Sequence, residues 1–188
     1  MSKLFVNEIH SKTGTSHALD IDSDGNVEFK GVVNYGKPIG FAVNKSGNQS
    51  ITVTNTKISG WETDSYMYGG FNTDGSGGSM INTTSGVVTI PATGYYSFVF
   101  NTRVDSFAGT YIYFDLIKTD SSGTHNSTIT NRAGRSLESA TASDYTSMQI
   151  QGTRYFEKDD YFAVFFSNSG DNSVTIDGDT YFSMFKVG

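Results

Sequence analysis

Asp20, Asp22 and Asp24 are spaced two apart and followed by Gly25, which matches the first half of a calcium loop. Alternate carboxylates at that spacing can surround one hard cation. The loop's twelfth position, where a bidentate Glu completes the shell, is Gly31. The run therefore reads as a solvated turn in preference to a metal site, and no cofactor is expected. His10, His17 and His125 are the only histidines, and there is no Cys. No metal-ligand spacing joins them, so a structural or solvent role is expected. Asp159 and Asp160 are adjacent; in a strand they would face opposite ways, which defeats paired acid–base work. Gly75-Ser76-Gly77-Gly78-Ser79 lacks the Lys and the strand–helix context of a phosphate cradle. No Gly-x-Ser-x-Gly elbow occurs, and no catalytic residue is expected. The segment from Trp61 to Phe71 sets aromatic rings beside carboxylates. Trp61, Tyr66 and Tyr68 could stack on a sugar ring as receptor contacts. The competing reading puts Trp61, Tyr68 and Phe71 in the core or a subunit interface, where Trp and Phe are usually found.

Whatever positions these residues is built mostly of β-structure. The chain has 188 residues, 14 Phe, 11 Tyr and 21 Gly, with only 2 Pro. Aromatic and β-branched side chains suit pleated surfaces. Charged residues make up only 17%, and abundant Ser, Thr and Asn supply the polar surface instead. A net charge of −6 with 13 Lys and Arg offers no basic footprint for nucleic acid. No apolar run approaches the ~18 residues of a membrane span, so no membrane insertion is expected. The opening residues lack the apolar core of a secretory signal.

Two regions differ in density. Residues 1–37 carry a possible strand at Leu4–Ile9, an alternating run Ala18–Asp22, a turn at Asp24-Gly25-Asn26 and a second run Val27–Lys30. The large apolar residues of these runs are few: Leu4, Phe5, Val6, Ile9, Leu19, Ile21, Val27 and Phe29. A lone hairpin of this kind is marginal in water, so the segment should lie on a partner or intertwine with its own copies. Residues 38–188 read as about ten short strands separated by turn signals. Strands are expected at Ile39–Val43, Gln49–Thr54, Lys57–Gly60, Gly86–Ile90, Tyr95–Val104, Thr110–Lys118, His125–Asn131, Tyr145–Tyr155, Asp160–Ser167 and Thr180–Val187. Tyr96, Phe98 and Phe100 alternate with Ser97 and Val99, the period-2 mark of a half-buried strand. Arg132–Ser143 has no apolar stripe and reads as loop. The fold class is therefore all-β: a two-sheet jelly roll of about ten strands with a short amino-terminal hairpin or stalk.

Two resemblances sharpen this. In residues 38–188, Pro38-Ile39-Gly40-Phe41-Ala42-Val43 and Ile90-Pro91-Ala92-Thr93-Gly94-Tyr95-Tyr96-Ser97-Phe98 are similar to the first strand and the Gly-x-Tyr-x-Phe motif of one family. Tyr111–Lys118, Phe156–Val164 and Phe182-Ser183-Met184-Phe185 follow in that family's order. Together they resemble the globular head of complement component one, subcomponent q, a tumour-necrosis-factor-like jelly roll. The sequence departs at Asp159 and Met184, each in place of a Gly, and at the extra Ala92-Thr93. The resemblance implies a homotrimer, with Phe41, Tyr96, Phe98, Phe100, Phe162, Val164, Phe182 and Phe185 in the head core or interface. Ala18-Leu19-Asp20-Ile21-Asp22-Ser23-Asp24-Gly25-Asn26-Val27 resembles a repeat of bacteriophage tail-fibre proteins. Ser2–Ile9 resembles the opening of structural proteins of marine and cyanobacterial phages. These imply a segment, 1–37, that trimerises and anchors the chain to other virion proteins through the eight apolar residues above. The expected role is a short fibre or adhesin on the exterior of a phage particle. The alternative is a capsid decoration protein. An extended run of 37 residues reaches at most about 120–130 Å, and a hairpin halves that, which slightly favours the alternative.

Overall fold

The computed structural model describes residues 8–10, 17–21, 27–28, 38–51, 55–63, 71–105, 111–125, 132–139, 146–168 and 174–188. The described elements are all strands. They fall into two compact units, Met1–Gly36 and Lys37–Gly188.

In the first unit, β1 (Glu8–His10), β2 (His17–Ile21) and β3 (Val27–Glu28) form an antiparallel sheet in that order. Alternation of Ala18, Leu19, Asp20 and Ile21 suits such a ribbon. Leu4, Phe5, Val6 and Phe29 lie outside the described residues, whereas Ile9 pairs with Leu19 and Ile21 with Val27.

The second unit is a sandwich of two antiparallel sheets. Its strands are β4 (Gly40–Lys45), β5 (Gln49–Ile51), β6 (Thr56–Lys57), β7 (Trp61–Glu62), β8 (Phe71–Thr73), β9 (Val88–Thr89) and β10 (Gly94–Asp105). There follow β11 (Tyr111–Thr119), β12 (Arg132–Ser139), β13 (Thr146–Phe156), β14 (Tyr161–Asn168), β15 (Val174–Ile176) and β16 (Tyr181–Lys186). In the larger sheet β10 pairs with β13 on one side and with β16 and β15 on the other. Next come β4 beside β16 and β5 beside β15, with β7 and β8 on β4. The smaller sheet runs β12-β11-β14, with β6 and β9 on β14. The resulting topology is a jelly roll.

Strand parity fills the space between the sheets. On β10 the residues Tyr96, Phe98, Phe100 and Val104 point inward and are buried. They meet Phe41 and Val43 of β4, Phe182 and Met184 of β16, Ile112, Phe114 and Leu116 of β11, and Phe162, Val164 and Phe166 of β14. Each such side chain contributes about 1.5–3 kcal/mol by leaving water. Rings lock edge to face: Phe41 on Phe182 at 4.8 Å, and Phe156 tilted on Phe162 at 4.4 Å. Tyr96 carries its hydroxyl into this core and satisfies it by donating to the Ala92 carbonyl at 2.6 Å.

One expectation needs correction, and a second lies almost wholly outside the described residues. Arg132–Ser139 is an edge strand, hydrogen-bonded to β11, where the reading of a loop was based on the missing apolar stripe. An edge strand is held by its backbone on one side and does not need that stripe. The strand expected at His125–Asn131 has a non-strand His125, and its remaining residues lie outside those described. Gly134 explains part of the β12 composition: a Cβ there would stand 2.3 Å from Ile150 Cγ2, so the two sheets close only over a glycine. Gly134→Val is expected to destabilise the head by about 1–3 kcal/mol through overpacking. An unchanged urea midpoint would contradict this close approach.

The departure at Asp159 has a local reading. Its φ is 65°, in the left-handed region that glycine adopts freely, so Asp159 keeps the turn between β13 and β14 at a backbone cost. The turn is fixed by its amide, which donates to the Ile90 carbonyl at 2.8 Å.

Near the other end of β10, the Asp177 carboxylate accepts from the Asp179 amide at 2.9 Å and from Arg103 Nε at 3.1 Å. The backbone bond first and the guanidinium second hold its pKa below the ordinary carboxylate value. A depressed folded pKa gives stability that is complete above the unfolded value and is lost as pH falls through the folded one. Asp177→Asn should therefore flatten the decline in unfolding midpoint below about pH 4. The same slope in both proteins would refute the assignment.

Candidate interaction surfaces

Parity also decides what the larger sheet shows to the outside. Odd residues of β10 and β13 share its outward face, and the register sets Tyr95 opposite Tyr155. Their rings meet in a T-shaped pair at 5.4 Å, although each residue is 55% exposed. On β16 the outward residues are Tyr181, Ser183 and Phe185, and Phe185 lies across from Ser97. The Phe185 ring packs on Phe71 of β8 at 5.2 Å yet keeps 36% of its surface. Val187 is bonded through its amide to the Tyr95 carbonyl and is also exposed. Among the described residues the exposed large hydrophobic side chains are these: Tyr95, Tyr155, Phe185 and Val187. All four sit at one end of one sheet face. Solitary exposed apolar residues need no explanation, but a contiguous group is characteristic of a contact surface.

The residues singled out in the sequence divide sharply. Phe41, Tyr96, Phe98, Phe100, Phe162, Val164 and Phe182 are buried between the sheets. Phe185 is the exception and belongs to the outward face. Trp61 is 5% exposed and packs against Phe100 at 6.4 Å and Phe182 at 5.9 Å. The sugar-stacking role considered for it gives way to core packing, because its ring faces are already covered. Lys45 Nζ lies 6.0 Å from the indole centroid and donates to the Ser59 and Gly60 carbonyls. Burial pulls the Lys45 pKa down. Tyr66 and Tyr68 lie outside the described residues.

In the first unit Asp20 lies opposite Glu8 on one side and Glu28 on the other. Asp22 and Asp24 are outside the described residues. Among the described residues, no group of three or more His, Asp or Glu is placed to hold a metal ion. The β1–β2 register sets His10 opposite His17, a neighbour relation that their separation in sequence does not suggest. His125 packs its ring 5.6 Å from Phe165 on the outer side of the smaller sheet. The outward pair Tyr95–Tyr155 was missed in the sequence. Its one signal was an aromatic at the solvent parity of a strand whose other parity is core.

No family model matches the sequence. No curated protein matches it either. Solved structures do match in fold. Eiger, a tumour necrosis factor from S. frugiperda, has a TM-score of 0.57 at 13% identity, covering 81% of this chain and 94% of that one. Murine APRIL at pH 5.0 has a TM-score of 0.53 at 13% identity, with 80% and 100% covered. The structure of murine APRIL at pH 8.5 gives 0.54 at 12% identity, again with 80% and 100% covered. The head therefore has a tumour-necrosis-factor-like jelly-roll fold.

Proposed function

We propose that the chain is a homotrimeric structural protein of a phage particle, a short fibre or adhesin. Residues 1–37 attach it to other virion proteins, and the jelly-roll head meets the host surface. The observation that carries self-association is the outward group Tyr95, Tyr155, Phe185 and Val187. A second copy that covers it removes apolar area from water and engages two tyrosines, a residue type enriched at binding hot spots. The particle setting is supported by the tail-fibre-like run Ala18–Val27 and by the Ser2–Ile9 opening. The functional logic is avidity: three weak sites on one trimer, repeated over a particle, hold a surface that no single site would hold.

Immunogold electron microscopy of the particle, with antibody against the head, tests this reading. Gold on the tail or its tip is the expected result. Gold spread over the capsid shell would overturn the adhesin role in favour of capsid decoration, and unlabelled particles would overturn both.

A further inference from the structure

Where the two sheets part beside β12 and β13, they leave an open pocket of about 190 Å³. Phe156 and Phe162 line it, with Tyr155, Lys118, Arg132, Arg154 and Asp160 around them. Arg154 is an exposed residue at the rim of this pocket. It pairs in register with Tyr96, on the core-facing side of β13, where Met148, Ile150 and Phe156 are buried. An arginine cannot shed its charge, and this one is exposed, so it stays hydrated and can exchange that water for an anion. Among the described residues it has no carboxylate partner. The other two cations do: Lys118 Nζ is 2.5 Å from Asp160 Oδ1, and Arg132 Nε is 2.7 Å from Asp115 Oδ1. Asp160 is the one carboxylate among the lining residues and Asp115 lies outside them, so among the described residues Arg154 is the lining cation whose charge is not matched by a carboxylate.

The geometry points to a binding site for the carboxylate of an acidic sugar, a uronic or sialic acid unit of a surface polysaccharide. The guanidinium fork of Arg154 matches a carboxylate in shape as well as charge. The apolar floor suits the C–H face of a sugar ring. The volume falls below the ~300–1,000 Å³ of pockets that enclose a whole drug-sized ligand, so one ring is admitted and the rest of the polymer stays outside. The protein's net charge of −6 repels polyanions in general, so retention of one would report this local site. The site supplies a ligand class for the host-surface role and rests on that reading for its setting alone. Binding by the purified protein and labelling of the particle can fail independently.

Surface plasmon resonance with the full-length chain over immobilised polygalacturonate and neutral dextran is the test. Retention on polygalacturonate alone, competed by free galacturonate, is the expected result. Arg154→Gln should weaken it about tenfold or more with the melting temperature unchanged, and Arg154→Lys should restore part of it. No retention, or equal retention by Arg154→Gln, would overturn the site. Competition by inorganic sulfate as effective as that by galacturonate would overturn the sugar assignment.

Discussion

Replacing Phe182 with alanine is expected to lower the unfolding free energy of the head by about 3–5 kcal/mol. Phe182 is 1% exposed and touches three other rings: Phe41 at 4.8 Å, Trp61 at 5.9 Å and Phe100 at 6.1 Å. Its removal costs the transfer energy of the ring and leaves a cavity. That cavity cannot collapse easily, because β4, β7 and β10 hold its walls through backbone pairing. A domain has only about 5–15 kcal/mol to lose, so the variant should sit near the threshold of folding. Phe182→Asp should cross it, since an unpaired carboxylate would be buried among rings. Trp61 is the single tryptophan and lies against the substituted position, so its fluorescence reports the urea transition directly. Phe185→Ala, three residues on, should cost far less, because that ring is on the other face and already partly wet. Equal midpoints for Phe182→Ala and the parent protein, or equal losses for the two alanine variants, would refute the assignment of faces.

That contrast also marks how far the sequence could be read. The alternation of Tyr96, Phe98 and Phe100 is local, so β10 and its buried face were legible from spacing alone. The same period separates Phe182 from Phe185, yet the motif that contains both drew them into one class. The edge strand β12 left no trace because its pairing with β11 is a backbone matter, and Gly134 is dictated by Ile150 across the sandwich. Trp61 was ambiguous for a different reason. An aromatic beside Glu62 and Asp64 fits a binding loop as well as a core, and only long-range packing on Phe100 and Phe182 separates the two. The outward Tyr95–Tyr155 pair joins residues 60 positions apart through the β10–β13 register. Arg154 reads as an ordinary surface cation until that same register sets it, still exposed, at the rim of the pocket. Candidate sites of this kind arise from sheet pairing, which no window along the chain contains.

The pair that was hidden in sequence now carries the largest expected effect on assembly. Tyr95→Asp combined with Tyr155→Asp should convert a trimer into folded monomers at micromolar concentration. Both positions are 55% exposed in the single chain, so the substituted carboxylates remain in water and the head keeps its core. In a trimer the same carboxylates would stand close together on a covered face, desolvated and mutually repelling. Interface aromatics at hot spots contribute about 2 kcal/mol or more each, and a closed trimer repeats the loss at three contacts. Light scattering coupled to size exclusion reads the mass, and Trp61 fluorescence verifies that the fold survives. A double variant that stays trimeric would remove this face from the interface, and a parent protein that runs as a monomer would remove the trimer itself. Phe185→Asp extends the test along the same face. It should weaken assembly in the same direction, because Phe185 shares that face with Tyr95 and Tyr155 across strands whose register is fixed by β10.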